Sequence, residues 1–263
     1  MNDHLKQLLD QKYYEYSRAD FIADDPIQIP KMFSLKEDIE IAGFLSASIA
    51  WGNRKSIIKN AKSLIELMDN SPYDFIMNFK ESDLEVFNGF KHRTFNGVDA
   101  KFFMRSLQNI YQHHKGLEQV FLTGFKKEQS IKSALSYFRK IFFSVEFPER
   151  TSKHIANVDK NSAAKRLNMF LRWMVRQDHS GIDFGLWNLP MHSLKLPLDV
   201  HTANVSRNLG LLFRKQNDWK AVEEVTQNLK KFDPQDPVKY DFALFGMGIN
   251  EGLKKLIKNG VNL

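Results

Sequence analysis

The chain has 263 residues and carries 38 Lys and Arg against 31 Asp and Glu, a formal charge of +7. Hydrophobic residues make up 43% of it and include 22 Phe, enough for a large buried core, which excludes an intrinsically disordered chain. Cysteine is absent, which excludes disulfides, thiolate zinc sites and cysteine-bound iron–sulfur clusters, while the basic balance favours a polyanionic partner such as nucleic acid.

The N-terminal stretch MNDHLKQLLDQKYYEYSRAD is charged and lacks the apolar core of a secretory signal. No uncharged apolar run reaches the roughly 18 residues that mark a membrane span, so the chain is expected to be soluble and cytoplasmic. SLKEDIEIAGFLSASIAWGNRKSIIKNAKSLIELM, beginning at Ser34, predicts a helix, a break at Gly52 and a second helix, with Ser34 and Glu37 forming a capping box. The break, Trp51-Gly52-Asn53-Arg54-Lys55, sets an aromatic, an amide and two cations on a turn. A helix–helix corner around a packed tryptophan is the simplest reading of it. From about Ser71 to Glu149 further helices are expected, with polar joints near His92 to Asn96 and Tyr111 to Lys115. Adjacent helical residues point in different directions, so His113 and His114 read as a solvated helix end and not as a metal site.

Two later segments carry the chemistry. AAKRLNMFLRWMVR, Ala163 to Arg176, places Leu167, Phe170, Leu171 and Met174 on one helical face. QDHSGIDFGLWNLPMHSLK, with Gly181, Gly185 and Pro190, reads as an extended connection. LPLDVHTANVSRNLGLL, Leu196 to Leu212, predicts a second helix with Val205, Leu209 and Leu212 buried. Near the C-terminus, Asp236 and Pro237 suit an N-cap and first helical residue, after which Asp241 and Phe245 lie one turn apart. Helical spacing runs through almost the whole chain and no sustained period-two pattern appears, so the fold class is all-α. No internal repeat, low-complexity tract or linker marks a lobe boundary.

Lys165 opens the first of these helices and Asp199 the second. A lysine at a helix N-terminus meets the positive end of the macrodipole, which disfavours the ammonium and brings the nucleophilic amine closer to hand. An aspartate before a helical run can cap its helix and still turn a carboxylate oxygen toward a neighbouring site. A lysine nucleophile with a carboxylate to stabilise a cationic transition state is the equipment for cutting an N-glycosidic bond through a Schiff base. Each residue alone also has an ordinary structural role, Lys165 as a solvated helix residue and Asp199 as an N-cap.

A lysine-led helix, a connection, the run Leu196-Pro197-Leu198-Asp199-Val200-His201-Thr202, and a helix with Arg207 that ends in Leu209-Gly210-Leu211 together resemble the helix-hairpin-helix DNA glycosylases. Lys165 matches the nucleophile position and Asp199 the catalytic carboxylate. Over nearly its full length, including AWGNRK, PLDVHT and DPVKYDFALFGMG, the chain resembles a bacterial family distantly related to the archaeal 8-oxoguanine DNA glycosylase branch. That resemblance implies a single glycosylase-like unit over residues 1–263, with two helical lobes flanking a cleft. It also implies base excision, with or without AP-lyase activity, on an oxidised purine such as 8-oxoguanine. Damaged DNA would be the partner, with no cofactor, no metal and no membrane.

The resemblance implies a base pocket from Met169, one turn beyond the lysine, with Phe245 as the facing aromatic and Asp241 as the base-reading carboxylate. A thioether and a ring are suited to holding a flat purine. Trp51 and Asn53, near the equivalent of an early base-reading helix, are further pocket candidates. The typical hairpin has a Gly-x-Gly turn whose amides approach a DNA phosphate, whereas HIANVDKNSAAKR has no glycine. Asn157, Asn161 or Ser162 can supply a tight turn there, and Lys153, Lys160 and Arg166 can replace amide contacts with charge. His201, Thr202 and Arg207 complete the expected DNA contacts, with helix capping and first-turn packing as the equally weighted alternative for His201 and Thr202. Against the glycosylase stand a non-catalytic nucleic-acid-binding protein on the same scaffold and a protein-interaction scaffold.

Overall fold

A computed structural model describes residues 3–18, 25–177 and 180–251, and among these the chain is mostly helical, as the apolar spacing requires. The chain divides into two compact units. One consists of Met1–Phe21, Val158–Gly185 and Pro190–Leu263, the other of Ile22–Asn157 and Leu186–Leu189. Helix α1, Asp3–Tyr16, belongs to the first unit, has Asp3 in its first turn, and buries Leu5 and Leu9 one turn apart.

The second unit begins with short 3-10 turns at Pro26–Gln28 and Pro30–Met32, each led by a proline with its φ preset for a helical start. Helix α2, Lys36–Ser48, is buried over nearly its whole length after the first turn. The capping box expected from Ser34 and Glu37 is corrected here. Leu35 occupies the N-cap position with no side-chain cap, one residue beyond Ser34, so the serine hydroxyl is out of register. Asp38 in that first turn accepts instead from the Tyr73 amide at 2.8 Å. Helix α3, Arg54–Glu66, starts where Asn53 accepts from the Ser56 amide at 3.2 Å. Helix α4 follows at Pro72–Asn78.

The polar joint expected near His92 to Asn96 is a two-stranded antiparallel hairpin, β1 Lys91–His92 paired with β2 Phe95–Asn96. Its turn holds Arg93 at φ 55°, and strands this short escape a periodicity reading. Asn96 then caps α5, Gly97–His114, in a capping box with Asp99. Helices α6, Leu117–Glu128, and α7, Ile131–Phe142, complete the unit. Phenylalanines fill the core: the rings of Phe103 and Phe142 are 4.9 Å apart, and those of Phe121 and Phe138 stack at 4.5 Å. Each fully buried Phe contributes roughly 1.5–3 kcal/mol.

The first unit resumes with α8, Lys165–Val175, then α9, Val200–Asn208, α10, Trp219–Lys230, and α11, Tyr240–Gly246. Its core joins Leu5 and Leu9 of α1 to Leu196, Leu198, Val205, Leu209, Val222, Val225, Leu229 and Leu244. Helix α9 stops earlier than its apolar spacing suggests. Gly210, at φ 68°, reverses the chain while its amide donates to Arg207 O at 3.1 Å and that of Leu211 to Ser206 O at 2.8 Å, a Schellman ending that needs a residue tolerant of positive φ. Leu212, beyond that stop, is still buried. Among the described residues no helix is long and apolar enough to cross a membrane.

Candidate active site

The approach to α8 is a tight turn built without glycine. Asn161 and Ala164 both adopt the left-handed region, at φ 63° and 48°. Asparagine tolerates that region because its short amide bonds locally. Here the Asn161 side chain donates to Asp218 Oδ2 at 2.8 Å, and the Asn161 backbone carbonyl accepts from the Trp219 amide at 3.1 Å. For Ala164 the conformation costs roughly 1–2 kcal/mol and is held by the Ser162 hydroxyl accepting from its amide at 3.3 Å. Ala164 is the N-cap residue and provides no side-chain cap, so Lys165 begins the helix at an end its N-cap side chain does not close.

Asp199 does what its position at the head of α9 allows. Its Oδ1 accepts from the Thr202 amide at 2.8 Å, while its Oδ2 lies 3.7 Å from Lys165 Nζ. One oxygen caps a helix and the other faces the amine. The Lys165 side chain is 33% exposed and that of Asp199 19%, so the pair is reachable yet partly shielded, where a charge interaction is stronger than in bulk water.

Behind this pair runs a buried chain of charges. Arg172, two turns beyond Lys165 on α8, donates to Asp241 Oδ2, and its Nε donates to Asp183 Oδ1 at 3.2 Å. Arg176, one turn further, donates to Asp183 Oδ2 at 3.0 Å and to Asp236 Oδ2 at 2.9 Å, and reaches the Tyr13 hydroxyl at 2.9 Å. The Arg172 guanidinium also lies 4.4 Å from the Phe242 ring centroid. Burial pushes the Asp241 carboxyl up to about 6, with the Asp199 charge adding to the rise and Arg172 and Lys165 opposing it. Asp241 therefore feels both members of the lysine–aspartate pair. The Asp236 side chain, expected as an N-cap, makes no cap bond and goes to Arg176 instead; a 3-10 turn at Pro237–Lys239 leads into α11.

Met169 and Phe245 are both half-buried. Met169 sits on α8 between Lys165 and Arg172, and Phe245 on α11 one turn beyond Asp241. The Arg172–Asp241 bond thus ties together the helices that carry them.

Two expected DNA contacts are revised by this geometry. Thr202 is fully buried and its amide serves the Asp199 cap, so its hydroxyl does not reach a phosphate. Arg207 spends its guanidinium on Arg214 O at 2.9 Å, Lys215 O at 2.8 Å and Asn217 Oδ1 at 2.6 Å, stapling the loop after α9. His201 is exposed in the first turn of α9. Lys160 ends a 3-10 turn just before the Asn161 reversal, and Arg166 is half-buried in the second position of α8.

Trp51, Asn53 and Lys153 belong to the second unit. Trp51 is half-buried, edge-on to His92 at 5.1 Å and stacked on His154 at 5.9 Å, which matches a packed tryptophan corner. Asn53 is engaged as the α3 cap. Lys153 is exposed beside His154. A polar cavity of about 240 Å³ also lies in this unit, lined by Lys36, Glu40, Tyr73, Tyr111 and Glu118 among others. Its buried carboxylate, Glu40, accepts from Tyr111 OH at 2.7 Å and Trp187 Nε1 at 2.8 Å, which ties the Leu186–Leu189 segment into the unit. Burial pushes that carboxyl up to about 7 against the opposing pull of these two bonds.

Sequence reasoning missed Arg172, Asp183 and Glu40. A signal for the first was present: Arg172 stands within the apolar run Met169–Val175 with Arg176 one turn on, and a buried guanidinium requires carboxylates. Asp183 had no local signal, because its partners lie on another element.

Fold and site together define a mostly helical protein with a lysine and an aspartate converging from two helix N-termini. The chain belongs to the family described as "Protein of unknown function (DUF2400)", which it matches over residues 25–250. No curated protein and no solved structure matches it.

Proposed function

We propose that the protein is a DNA base-excision glycosylase with AP-lyase activity, of the helix-hairpin-helix kind, acting on an oxidised purine such as 8-oxoguanine. The observation that carries this reading is the 3.7 Å approach of Lys165 Nζ to Asp199 Oδ2 while the other Asp199 oxygen holds its own helix. A general-base carboxylate fixed beside an amine accepts the proton that the amine must lose to become a nucleophile.

In the proposed reaction the damaged base leaves the stack and neutral Lys165 attacks the anomeric carbon. The Nζ–C1′ bond forms as the bond from C1′ to the base nitrogen breaks, and the departing base takes up the proton that Asp199 accepted from the Lys165 ammonium, which returns Asp199 to the carboxylate. Asp199 stabilises the positive charge on the sugar. Opening of the sugar ring gives the Schiff base, from which β-elimination cuts the strand. Met169 and Phe245 are proposed to hold the base, and Asp241, backed by Arg172, to read its edge. A carboxyl that ionises near 6 can present either a donor or an acceptor to a purine.

A glycine-free turn before Lys165 favours the competing reading, a non-catalytic nucleic-acid-binding protein, because the phosphate-approaching backbone of the resembling family is replaced by Asn161 and Ala164. Borohydride trapping on a panel of lesion-bearing oligonucleotides separates the two. The glycosylase yields a covalent adduct that Lys165→Gln abolishes, whereas the binding protein yields none on any lesion while still retaining DNA.

A further inference from the structure

We propose that the exposed face of α3, together with the β1–β2 turn, is a docking surface for the sugar–phosphate backbone of duplex DNA. The inference rests on the nucleic-acid partner proposed above, but not on the chemistry of Lys165. Helix α3 buries Ile57, Ala61, Leu64 and Ile65 and turns Lys55, Lys59 and Lys62 to the opposite side, all three exposed. Their i, i+4, i+7 spacing stacks them in one row. The row spans eight residues, about 10 Å of helix, a length over which a duplex presents about six phosphate charges.

Cations on other helices sit in ion pairs of a kind the row lacks. On α1, Lys6 pairs with Asp10 and Lys12 with Glu15; on α5, Lys101 pairs with Glu85 and Arg105 with Glu81. Among the described residues Lys55, Lys59 and Lys62 have no ion pair, and α3 has no acidic residue in its first turn. Two cations, Arg54 and Lys55, open the helix at its positive end, and Lys55 and Lys59 form a like-charge pair one turn apart. Both arrangements oppose helix stability, and a polyanion lying along the face relieves both.

The hairpin extends the same surface. A single neutral tautomer of His92 accepts from Asn60 Nδ2 at 2.8 Å and donates to Trp51 O at 3.2 Å, pinning β1 to α3 and to the loop before it. Lys91 and Arg93 flank His92 on the hairpin and are exposed. The Arg93 side chain lies over Gly52, so close that a Cβ there would stand 3.0 Å from Arg93 Cδ. The glycine thus admits a fifth cation beside the row. Among the described residues neither Lys91 nor Arg93 has an ion pair.

The test measures binding of the full chain to a short undamaged duplex by fluorescence anisotropy between about 50 and 200 mM salt. Wild type is compared with Lys55→Gln/Lys59→Gln/Lys62→Gln, and with Lys126→Gln/Lys132→Gln/Lys140→Gln, which removes the same charge from exposed positions on α6 and α7. Each lost phosphate contact flattens the plot of log affinity against log salt by about 0.9. The α3 variant is therefore expected to lose about 2–3 from the slope and about tenfold or more in affinity at low salt, and the control to keep the wild-type slope. Equal slopes for the two variants, or no duplex binding by wild type, overturn the proposal. So does a variant that loses binding to phosphatidylserine vesicles but not to DNA. Borohydride trapping of wild type is scored separately, so failure of the glycosylase chemistry leaves this result readable.

Discussion

Replacing Arg172 with alanine removes the link between Asp241 and Asp183 and tests whether the buried charge chain is a working part of the fold. Two effects combine. The first, loss of the guanidinium from Asp183 and from the Phe242 ring, is largely independent of pH, because Asp183 keeps Arg176; it costs about 2 kcal/mol. The second depends on pH. In wild type Asp241 ionises near 6, with Arg172 as the main group holding it that low. Without Arg172 the carboxyl stays protonated in the folded state through neutrality, while in the unfolded chain it is ionised. The folded variant then binds one more proton than the unfolded chain, so its stability falls by about 1.4 kcal/mol per pH unit above about 6, a loss wild type does not share. The destabilisation is expected to be about 2 kcal/mol at pH 5.5 and to grow to about 4–5 kcal/mol by pH 8. Urea unfolding at these two pH values measures it. In Arg172→Ala/Asp241→Asn the growth with pH should vanish. A destabilisation of the same size at both pH values, or one that persists in its pH dependence after Asp241→Asn, refutes the coupling between these side chains.

Asp199→Asn retains a good capping group but no charge, so thermal stability should stay within about 0.5 kcal/mol of wild type while base release and trapping are strongly reduced; Asp199→Ala should add a capping loss of about 1 kcal/mol. Glu40, raised to about 7, contributes stability that is fully present below the ordinary glutamate range and is lost as pH rises through 7. Wild type should therefore lose about 3 kcal/mol from this group between about pH 4.5 and 7.5, and Glu40→Gln should lack that loss when urea unfolding is followed across the window. Gly246→Ala should destabilise the protein by about 1–3 kcal/mol in the same assay, because a Cβ would fall 2.2 Å from the Tyr16 ring of α1 and force α11 off its seat.

The helix starts at Lys165 and Asp199 are legible in the sequence because capping and helix initiation are local chemistry, written in a few adjacent residues. The same holds for the Trp51 corner and for the buried faces of α8 and α9. What local chemistry does not carry is the partner of a buried charge. Asp241 is readable as a helical residue one turn before Phe245, but its tie to Arg172 joins residues far apart in sequence, and with it the shift of its ionisation. Thr202 and Arg207 are polar residues near a catalytic candidate and invite a DNA-contact reading. Burial of the first, and the three hydrogen bonds by which the second holds the loop after α9, are consequences of packing. The α3 lysine row is visible as spacing alone, yet its lack of acidic partners emerges only when neighbouring elements are in place.

The most direct measurement of the central claim is peptide mapping by mass spectrometry of the complex trapped with borohydride on 8-oxoguanine-containing duplex. The account expects one sugar-derived adduct, on the peptide containing Lys165, lost in Lys165→Gln and strongly reduced in Asp199→Asn. An adduct on a different lysine, or none on any lesion from folded protein that still binds DNA, contradicts it.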